Sequence, residues 1–296
     1  MARRRAGNDG HGPPLALALE HARRELHNSE AGSLEAQALL GSLLCHPRSW
    51  ILAHPEAIFP QDLFIEYLVL IRRAVEGEPL AYLTGFQEFF GLSFAVTPDA
   101  LIPRPETELL VETALGWLSE RRQRMPHGSD PVRAVDLGTG CGCIAAALAV
   151  RVPDLRVIAT DISFRALALA ARNLAALGIA DRVRLLQADL LASLRAPVDL
   201  LCANLPYIPA AALDALPVAR HEPRIALDGG PDGLRLIARA MGQSETLLAA
   251  GGLALFEIEA PQGEAARDLA ERFFHKAAIT VKKDAAGNDR LLRIQI

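Results

Sequence analysis

Residues Val135 to Gly142 read Val-Asp-Leu-Gly-Thr-Gly-Cys-Gly, with glycines at three alternate positions. They overlap a short apolar run, 132–137, whose composition predicts a β-strand. Glycine has no Cβ, so a loop of this composition can turn sharply and let its backbone approach a ligand closely. We therefore predict a ligand-binding loop that joins a strand to a helix.

Alternating strand and helix signals extend from this loop to the C-terminus. Strands are predicted at 132–137, 156–160, 183–187, 198–203 and 253–258, and helices at 144–150, 163–177, 234–249 and 263–274. A last hairpin is predicted from 279–283 and 291–296. Ser163 and Gly178 are the expected caps of the second helix. This alternation is typical of an α/β fold with a doubly wound, mostly parallel sheet.

The segment before residue 106 predicts a different organisation. Residues 1–14 are expected to form a flexible tail, and 15–76 place apolar residues at helical spacing, which predicts a small helical-bundle domain. Glycines and prolines punctuate 77–105, which predicts a connector with a β-hairpin. The α/β domain is then expected to span 106–296.

Composition and charge argue against several classes of protein. Half of the residues are hydrophobic, which argues against disorder, and the net charge of -4 does not favour a nucleic-acid partner. No apolar run approaches the roughly 20 residues that cross a bilayer, and the N-terminus lacks a signal peptide's apolar stretch. We expect a cytoplasmic monomer without a membrane partner. The four cysteines form no CxxC pair, so no metal site is expected.

The glycine loop favours S-adenosylmethionine over a dinucleotide. A dinucleotide fingerprint, G-x-G-x-x-G, requires glycine where this chain has Cys143. A G-x-G-x-G loop led by an acid instead resembles the first motif of class I methyltransferases, whose cofactor carries a cationic sulfonium and no phosphate. Asp136 fits such a cation. The residues expected to bind the cofactor are Gly138, Thr139, Gly140, Cys141, Gly142, Asp161, Asp189, Leu190 and Asn204.

Two acids follow the next strands. Asp161 comes directly after the second strand, where a carboxylate can accept hydrogen bonds from both ribose hydroxyls of an adenosine. Asp189 comes after the third strand, in position to accept from the adenine amino group, with Leu190 able to cover the ring. A helix-capping role in the loop is the alternative for Asp189.

The tetrapeptide Asn204-Leu205-Pro206-Tyr207 ends the fourth strand, at the edge where such sheets bind ligands. The nitrogen of an amide or of an aromatic amine is a poor nucleophile because its lone pair is delocalised. The Asn204 side-chain oxygen and the main-chain carbonyl of residue 205 can each accept one N–H and orient that nitrogen. Tyr207 can stack on the planar group. We predict that these four residues are catalytic. A turn in which Pro206 merely stops the strand is the alternative.

The chain also resembles one family, from about Leu34 to its C-terminus. The segments that carry the resemblance are Glu78 to Gly85, Phe89 to Leu92, Leu101 to Glu108, Glu222 to Leu227 and Gly230 to Leu234. They are similar to release-factor glutamine N5-methyltransferases. This resemblance implies methylation of the glutamine in the Gly-Gly-Gln motif of peptide chain release factors, with S-adenosylmethionine as donor. It also implies that the helical domain helps to hold the factor.

Leu205 departs from the family pattern, which usually has Asn-Pro-Pro-Tyr. Leucine can still supply a main-chain carbonyl, and Pro206 restricts residue 205 toward extended conformations. The sequence Asn-Leu-Pro-Tyr also resembles ribosomal RNA adenine dimethyltransferases, so N6-adenine methylation of RNA or DNA is the alternative function. A binding module without turnover is a third hypothesis. Glu106 and Glu108 are expected either to begin a helix or to line the cofactor pocket.

Overall fold

Helices build the N-terminal unit, residues 1–85, in a computed structural model that describes residues 12–27, 29, 31–124 and 131–296. The helices are α1 (Leu15–Glu25), α2 (Gly32–Leu44), α3 (Arg48–Ala53), α4 (Gln61–Val75) and α5 (Leu80–Thr84). Their apolar faces share one core, which contains Leu39, Phe59 and Tyr67. The buried Tyr67 hydroxyl donates to the Ala36 carbonyl at 3.1 Å, which satisfies that polar group. The predicted helical bundle is confirmed.

The boundaries of this unit differ in detail from those expected. Phe59 donates its N–H to the Pro13 carbonyl at 2.9 Å, and Pro14 bridges to Ile58. The last residues of the expected tail are therefore hydrogen-bonded to the helical unit, whereas 1–11 lie outside the described residues. The division between the two units falls between Gly85 and Phe86, inside the expected connector.

A β-hairpin begins the second unit. Strands β1 (Phe86–Phe89) and β2 (Leu92–Ala95) pair antiparallel across a two-residue turn. Both turn residues, Phe90 (φ 54°) and Gly91 (φ 73°), are left-handed, as tight hairpins require. Such a φ is costly for phenylalanine. Three contacts hold Phe90 there: its N–H donates to Glu108 at 2.7 Å, its carbonyl accepts from Arg151 at 3.3 Å, and its ring lies under the Arg151 guanidinium, 5.2 Å from the centroid.

A seven-stranded sheet forms the centre of this unit. Its strands are β3 (Arg133–Leu137), β4 (Arg156–Asp161), β5 (Val183–Gln187), β6 (Val198–Ala203), β7 (Leu248–Glu257), β8 (Ala278–Lys283) and β9 (Asp289–Gln295). Their order is β5-β4-β3-β6-β7-β9-β8, with β9 antiparallel to both neighbours and the other pairs parallel. This confirms the predicted doubly wound, mostly parallel sheet. Strand order reverses between β3 and β6, which places a binding crevice at their carboxyl ends.

Helices pack on both faces of this sheet. The helices of this unit are α6 (Glu108–Arg124), α7 (Cys143–Arg151), α8 (Phe164–Ala176), α9 (Ala210–Leu213), α10 (Arg235–Ser244) and α11 (Gly263–Phe273), with short 3₁₀ turns at Pro105–Thr107, Pro217–Arg220, Arg224–Ala226 and Ala260–Gln262. Alternate residues of the strands pack into two different hydrophobic cores, one on each face of the sheet. Leu200 and Leu255 belong to the core with α6 to α8, and Leu201 and Phe256 to the core with α10 and α11. None of the helices in the described residues is long and apolar enough to cross a membrane.

Most of the predicted element boundaries hold, and one is wrong. Ser163 caps α8 by accepting from the Ala166 N–H at 3.2 Å, and Gly178 lies just beyond the helix with φ +69°. The helix predicted over 234–249 instead ends at Ser244, and β7 begins at Leu248. The apolar residues there suit either element. Pairing with β6, which includes a 2.7 Å bond from the Val198 N–H to the Leu247 carbonyl, decides for the strand.

Asn173 ties the hairpin to the glycine loop. Its buried side chain accepts from the Ala95 N–H at 2.9 Å and donates to the Ala95 carbonyl at 3.0 Å. The same amide nitrogen donates to the Cys141 carbonyl at 2.9 Å. One residue of α8 thus completes the hydrogen bonding of β2, at the half-buried Ala95, and of the ligand loop, at the buried Cys141 carbonyl.

We predict that Asn173→Ala lowers the free energy of unfolding by about 3 kcal/mol, because it removes the partner of the half-buried Ala95 N–H and C=O groups and of the buried Cys141 carbonyl. Urea unfolding measures the change. Asn288→Ala, at an exposed position in the β8–β9 turn, is the control and should cost less than about 0.5 kcal/mol. Equal stability of the two variants would show that the Asn173 bonds contribute nothing.

Candidate active site

A cavity of about 470 Å³ lies at the carboxyl ends of β3, β4 and β6. Of the residues that the sequence assigned to the site, it brings together Gly138, Thr139, Gly140, Cys141, Asp161, Asp189, Leu190, Asn204, Leu205 and Pro206. Gly142 is not among its described lining residues and packs on α8, where an added Cβ would lie 3.2 Å from the Ala170 Cβ. Tyr207 lines an adjoining cavity of about 140 Å³, which shares Asn204 and Leu205 with the first.

The loop after β3 has the geometry that its glycines predicted. Gly138, Gly140 and Gly142 have φ of +71°, +56° and +86°, a region that residues with a Cβ rarely adopt. The N–H groups of Gly138 and Thr139 both donate to the Thr160 carbonyl at 2.9 Å. A Cβ at Gly138 would lie 3.0 Å from the Leu205 Cδ2, so the loop and the tetrapeptide are in close contact.

Asp161 stands where the loop meets β4. Its two carboxylate oxygens accept from the Gly140 N–H at 2.9 Å and from the Ser163 N–H at 2.8 Å. Burial raises the pKa of this carboxyl above its ordinary value, and the backbone hydrogen bonds oppose that shift. Asp161 also lines the cavity, and a carboxylate has about four acceptor sites, so the position suits a diol that donates hydrogen bonds.

Asp136 has a different place from the one expected. The sequence suggested that it faces a cationic ligand, but it is fully buried and is not among the described residues that line the cavity. One carboxylate oxygen accepts from the Thr139 hydroxyl at 2.6 Å and from the Ala145 N–H, in the first turn of α7, at 3.0 Å. Asp136 therefore holds the loop from behind, and burial raises its pKa to about 6.

Asp189 forms an ion pair with Arg239 of α10, with 2.7 Å between oxygen and nitrogen. Both side chains line the cavity and are about half exposed. Leu190 is buried and left-handed, with φ 54°. Arg239 was missed by the sequence analysis, because an arginine on a surface helix carries no local signal of its partner.

Asn204 is hydrogen-bonded to Thr107, a residue that the sequence analysis missed together with Glu257. Its side-chain N–H donates to the Thr107 hydroxyl oxygen at 2.9 Å. Hydrogen bonding to Thr107 in turn acts to lower the pKa of the Glu257 carboxyl group, which ends β7. The Tyr207 hydroxyl donates to the same carboxyl group at 3.3 Å. Burial raises the pKa of Glu257 to about 7, and burial followed by the negative charge of Glu257 raises that of Tyr207.

The signal for Thr107 lay within the segment Leu101 to Glu108, where only the two glutamates were considered. Glu106 is exposed, and Glu108 accepts from the Phe90 N–H. Neither is among the described residues that line the cavity, whereas Thr107 is. Their helix-starting role is therefore the one that fits the structure.

Two further buried polar side chains fix the walls. Gln262 donates to the Tyr207 carbonyl at 2.9 Å and to the Asp232 carbonyl at 3.2 Å. Glu222 accepts from the Ile102 N–H at 2.9 Å and pairs with Arg104. The connector before α6 and the segment after the tetrapeptide are thus joined through side chains rather than through strand pairing.

The fold and the site define a class I methyltransferase. Its marks are the mostly parallel sheet with the antiparallel β9 between β7 and β8, the left-handed glycine loop after β3, the carboxylate at the end of β4 and the tetrapeptide after β6. Among solved structures, the hMettl16 catalytic domain is 14% identical with a TM-score of 0.52, covering 81% of this chain and 84% of that chain. A likeness at this identity concerns the fold alone.

Sequence comparison identifies the family. The PrmC N-terminal domain matches residues 18–85 and the methyltransferase small domain matches residues 123–218. The release factor glutamine methyltransferase of Moorella thermoacetica is 45% identical over 266 residues, 88% of this chain and 90% of that protein. That of Bordetella pertussis is 41% identical over 263 residues, 87% of this chain and 93% of that protein. The chain belongs to the release factor glutamine methyltransferase family.

We predict a pH-dependent stability difference for Asp136→Asn, whose side chain has the same shape. Asp136 has a folded pKa of about 6 against an ordinary 3.8, so the folded state binds more proton between these values. Its contribution to stability therefore falls as pH rises from 4 to 6. The variant lacks this titration, so its unfolding free energy should gain about 2 kcal/mol relative to the parent chain between pH 4 and pH 7. Urea unfolding at both values tests this, and a constant difference would contradict it.

Proposed function

We propose that the protein transfers a methyl group from S-adenosylmethionine to the side-chain amide nitrogen, N5, of the glutamine in the Gly-Gly-Gln motif of a peptide chain release factor. The observation that carries this proposal is the orientation of Asn204. Because its N–H is bonded to Thr107, its side-chain oxygen is left to accept a substrate N–H at the wall common to the two cavities. Family membership supports the same substrate.

The larger cavity fits S-adenosylmethionine, which supplies an electrophilic methyl group on a sulfonium when it is bound. The volume of this cavity is within the range of small-molecule sites. Gly138 and Gly140 leave room for a ligand to approach the backbone, and Asp161 suits the ribose hydroxyls. Leu190 is a candidate cover for the adenine ring, and Asp189 a candidate acceptor for its amino group. Thr160 also lines this cavity, and its buried hydroxyl has no partner within the described part of the chain.

The smaller cavity suits the glutamine side chain. Its wall combines the Tyr207 ring with the apolar residues Leu101, Val218 and Leu227, which exclude water from a planar amide. The Asn204 oxygen and the main-chain carbonyl of Leu205 together accept both N–H groups of that amide. Two acceptors hold the nitrogen in one orientation and raise its electron density, so positioning and electrostatics supply most of the acceleration. The nitrogen becomes acidic once it is methylated and then loses a proton to solvent, so no strong base is needed.

Leu205 has a structural role that fits this proposal. Its side chain is buried in the core with β3 and β6 and lies close to Gly138. Leucine is therefore used for packing, while its carbonyl is available for the substrate. N6-adenine methylation, the alternative that this residue raised, is not favoured by the relatives, which are named as glutamine methyltransferases. The net charge of -4 does not favour direct binding of nucleic acid. We also propose that the protein acts in the cytoplasm as a monomer.

The decisive experiment incubates the purified protein with labelled S-adenosylmethionine and a release factor, followed by mass spectrometry of the Gly-Gly-Gln peptide. A single methyl group on the glutamine side chain is expected. The matched substrate control is a release factor with alanine in place of that glutamine. Label transfer that persists in this control would refute the proposal.

We predict that Asn204→Ala lowers kcat at least about 100-fold, since it removes an acceptor that orients the reacting nitrogen. Leu205→Pro, which keeps the main-chain carbonyl, should change kcat only a few-fold. It should cost about 2 kcal/mol of stability through lost packing. Steady-state kinetics and urea unfolding separate these effects. A large loss of kcat in the stably folded Leu205→Pro variant would count against the carbonyl's role.

We predict that Asp161→Ala weakens binding of S-adenosylmethionine about 10- to 100-fold, because one or two charge-assisted hydrogen bonds are lost. Isothermal titration calorimetry measures the change, and circular dichroism checks the fold. Asp181→Ala, at an exposed position beside β5, is the control and should bind as the parent chain does. Unchanged affinity in the Asp161 variant would remove this residue from the cofactor site.

A further inference from the structure

Glu257 is a buried carboxyl group between two side chains of the site. It ends β7, and its residue surface is 1% exposed. The Tyr207 hydroxyl donates to its Oε1 at 3.3 Å, and hydrogen bonding to Thr107, which itself contacts Asn204 at 2.9 Å, acts to lower the pKa of Glu257. Its second oxygen, Oε2, has no hydrogen-bond partner within the described part of the chain. A buried carboxylate is costly, so its place beside the residues that contact the substrate needs an explanation.

The Thr107 hydroxyl can transmit the state of Glu257 to Asn204. An ionised carboxylate only accepts hydrogen bonds, and a threonine hydroxyl has a single proton to donate. Thr107 therefore donates to Glu257 and must accept from Asn204, which matches the observed bond from the Asn204 Nδ2. In this arrangement the Asn204 Oδ1 is the atom left for the substrate N–H.

We propose that Glu257 is a positioning residue, which acts through Thr107 to keep the Asn204 amide oxygen toward the substrate and through the Tyr207 hydroxyl to hold the aromatic ring. This inference rests on the proposed function and deepens it. Glu257 is not among the described residues that line either cavity, so it acts on the substrate through these two side chains and not by contact.

The arrangement makes the orientation of Asn204 sensitive to a proton. A protonated Glu257 can donate to Thr107, which then donates its own proton to the Asn204 oxygen. The side-chain amide of Asn204 then rotates by about 180° and presents its N–H groups where the substrate needs an acceptor. Four groups act on Glu257: Thr107, Tyr207 and Arg290 favour its ionised form, and Glu106 opposes it. Burial outweighs the first three and raises its pKa to about 7. The amide nitrogen of glutamine does not titrate near neutral pH, and Asp136 has a pKa of about 6, so a step in kcat near pH 7 reports the network when Glu257→Gln removes it.

The test compares Glu257→Gln, Thr107→Val, Thr107→Ser and Tyr207→Phe with the parent chain. Glu264→Gln, at an exposed position in the first turn of α11, is the control for loss of a carboxylate. For each variant, kcat and KM for a release factor are measured from pH 6 to pH 9, and the Kd for S-adenosylmethionine is measured by calorimetry. The Kd values show whether the cofactor site is intact, so misfolding and mispositioning are told apart.

We expect kcat of the parent chain to rise about tenfold from pH 6 to pH 8, as an essential ionisation near 7 requires. Glu257→Gln should lower kcat about 10- to 100-fold, the usual effect of losing a supporting hydrogen-bond partner, and should flatten the pH profile. Thr107→Val should behave alike, whereas Thr107→Ser, which keeps the hydroxyl, should restore most of the activity. Tyr207→Phe should lower kcat less and keep the pH step, and Glu264→Gln should match the parent chain.

The inference is overturned if Glu257→Gln keeps the parent kcat and pH step, or if Thr107→Val is as active as Thr107→Ser. If the parent chain leaves the glutamine unmethylated, the proposed function falls and this inference falls with it. If the parent chain methylates the glutamine and the variants do so equally, only the positioning role of Glu257 is lost.

Discussion

The left-handed backbone of the loop after β3 is the constraint on which the rest of the site depends. Three glycines provide it, and the hydrogen bond within the loop runs from the Gly142 N–H to the Thr139 carbonyl at 2.8 Å. Three side chains are hydrogen-bonded to the loop. Asp136 accepts from the Thr139 hydroxyl, Asp161 accepts from the Gly140 N–H, and Asn173 donates to the Cys141 carbonyl. Each of these side chains belongs to a different element, so the loop is placed only when the sheet and α8 are already packed.

The substrate side depends on strand order in the same way. The tetrapeptide continues from β6, and Glu257 ends the neighbouring strand β7. Parallel neighbours bring their carboxyl ends to one edge of the sheet. This is why Tyr207 and a carboxyl group 50 positions later in the chain lie within hydrogen-bond reach. Thr107, at the end of the 3₁₀ turn before α6, accepts a hydrogen bond from Asn204 and so connects Asn204 to this part of the site. Burial then makes these bonds strong, because water does not compete for them.

Much of the fold and of the cofactor side could be predicted from local chemistry. Each of these signals lies within a few consecutive residues: the alternation of strands and helices, the glycine spacing, and acids near strand ends. In the structure, Asp161, Asp189 and Asn204 line one cavity. Asp136 was predicted at the strand end, but its direction was wrong. A residue at the end of a strand can point into the crevice or into the core, and the core side is occupied by the Ala145 N–H and the Thr139 hydroxyl, which need an acceptor.

The sequence by itself determined which backbone conformations are possible: left-handed turns at the glycines, a strand that ends before Pro206, a helix that starts at Ser163. These follow from sterics and from hydrogen bonds between neighbours in the chain. Only the tertiary structure decided which distant side chains pair: Glu257 with Thr107 and Tyr207, Glu222 with Arg104, Arg239 with Asp189. The physical reason is that a polar side chain satisfies its hydrogen bonds with whatever packing brings near it, and no local pattern specifies that partner.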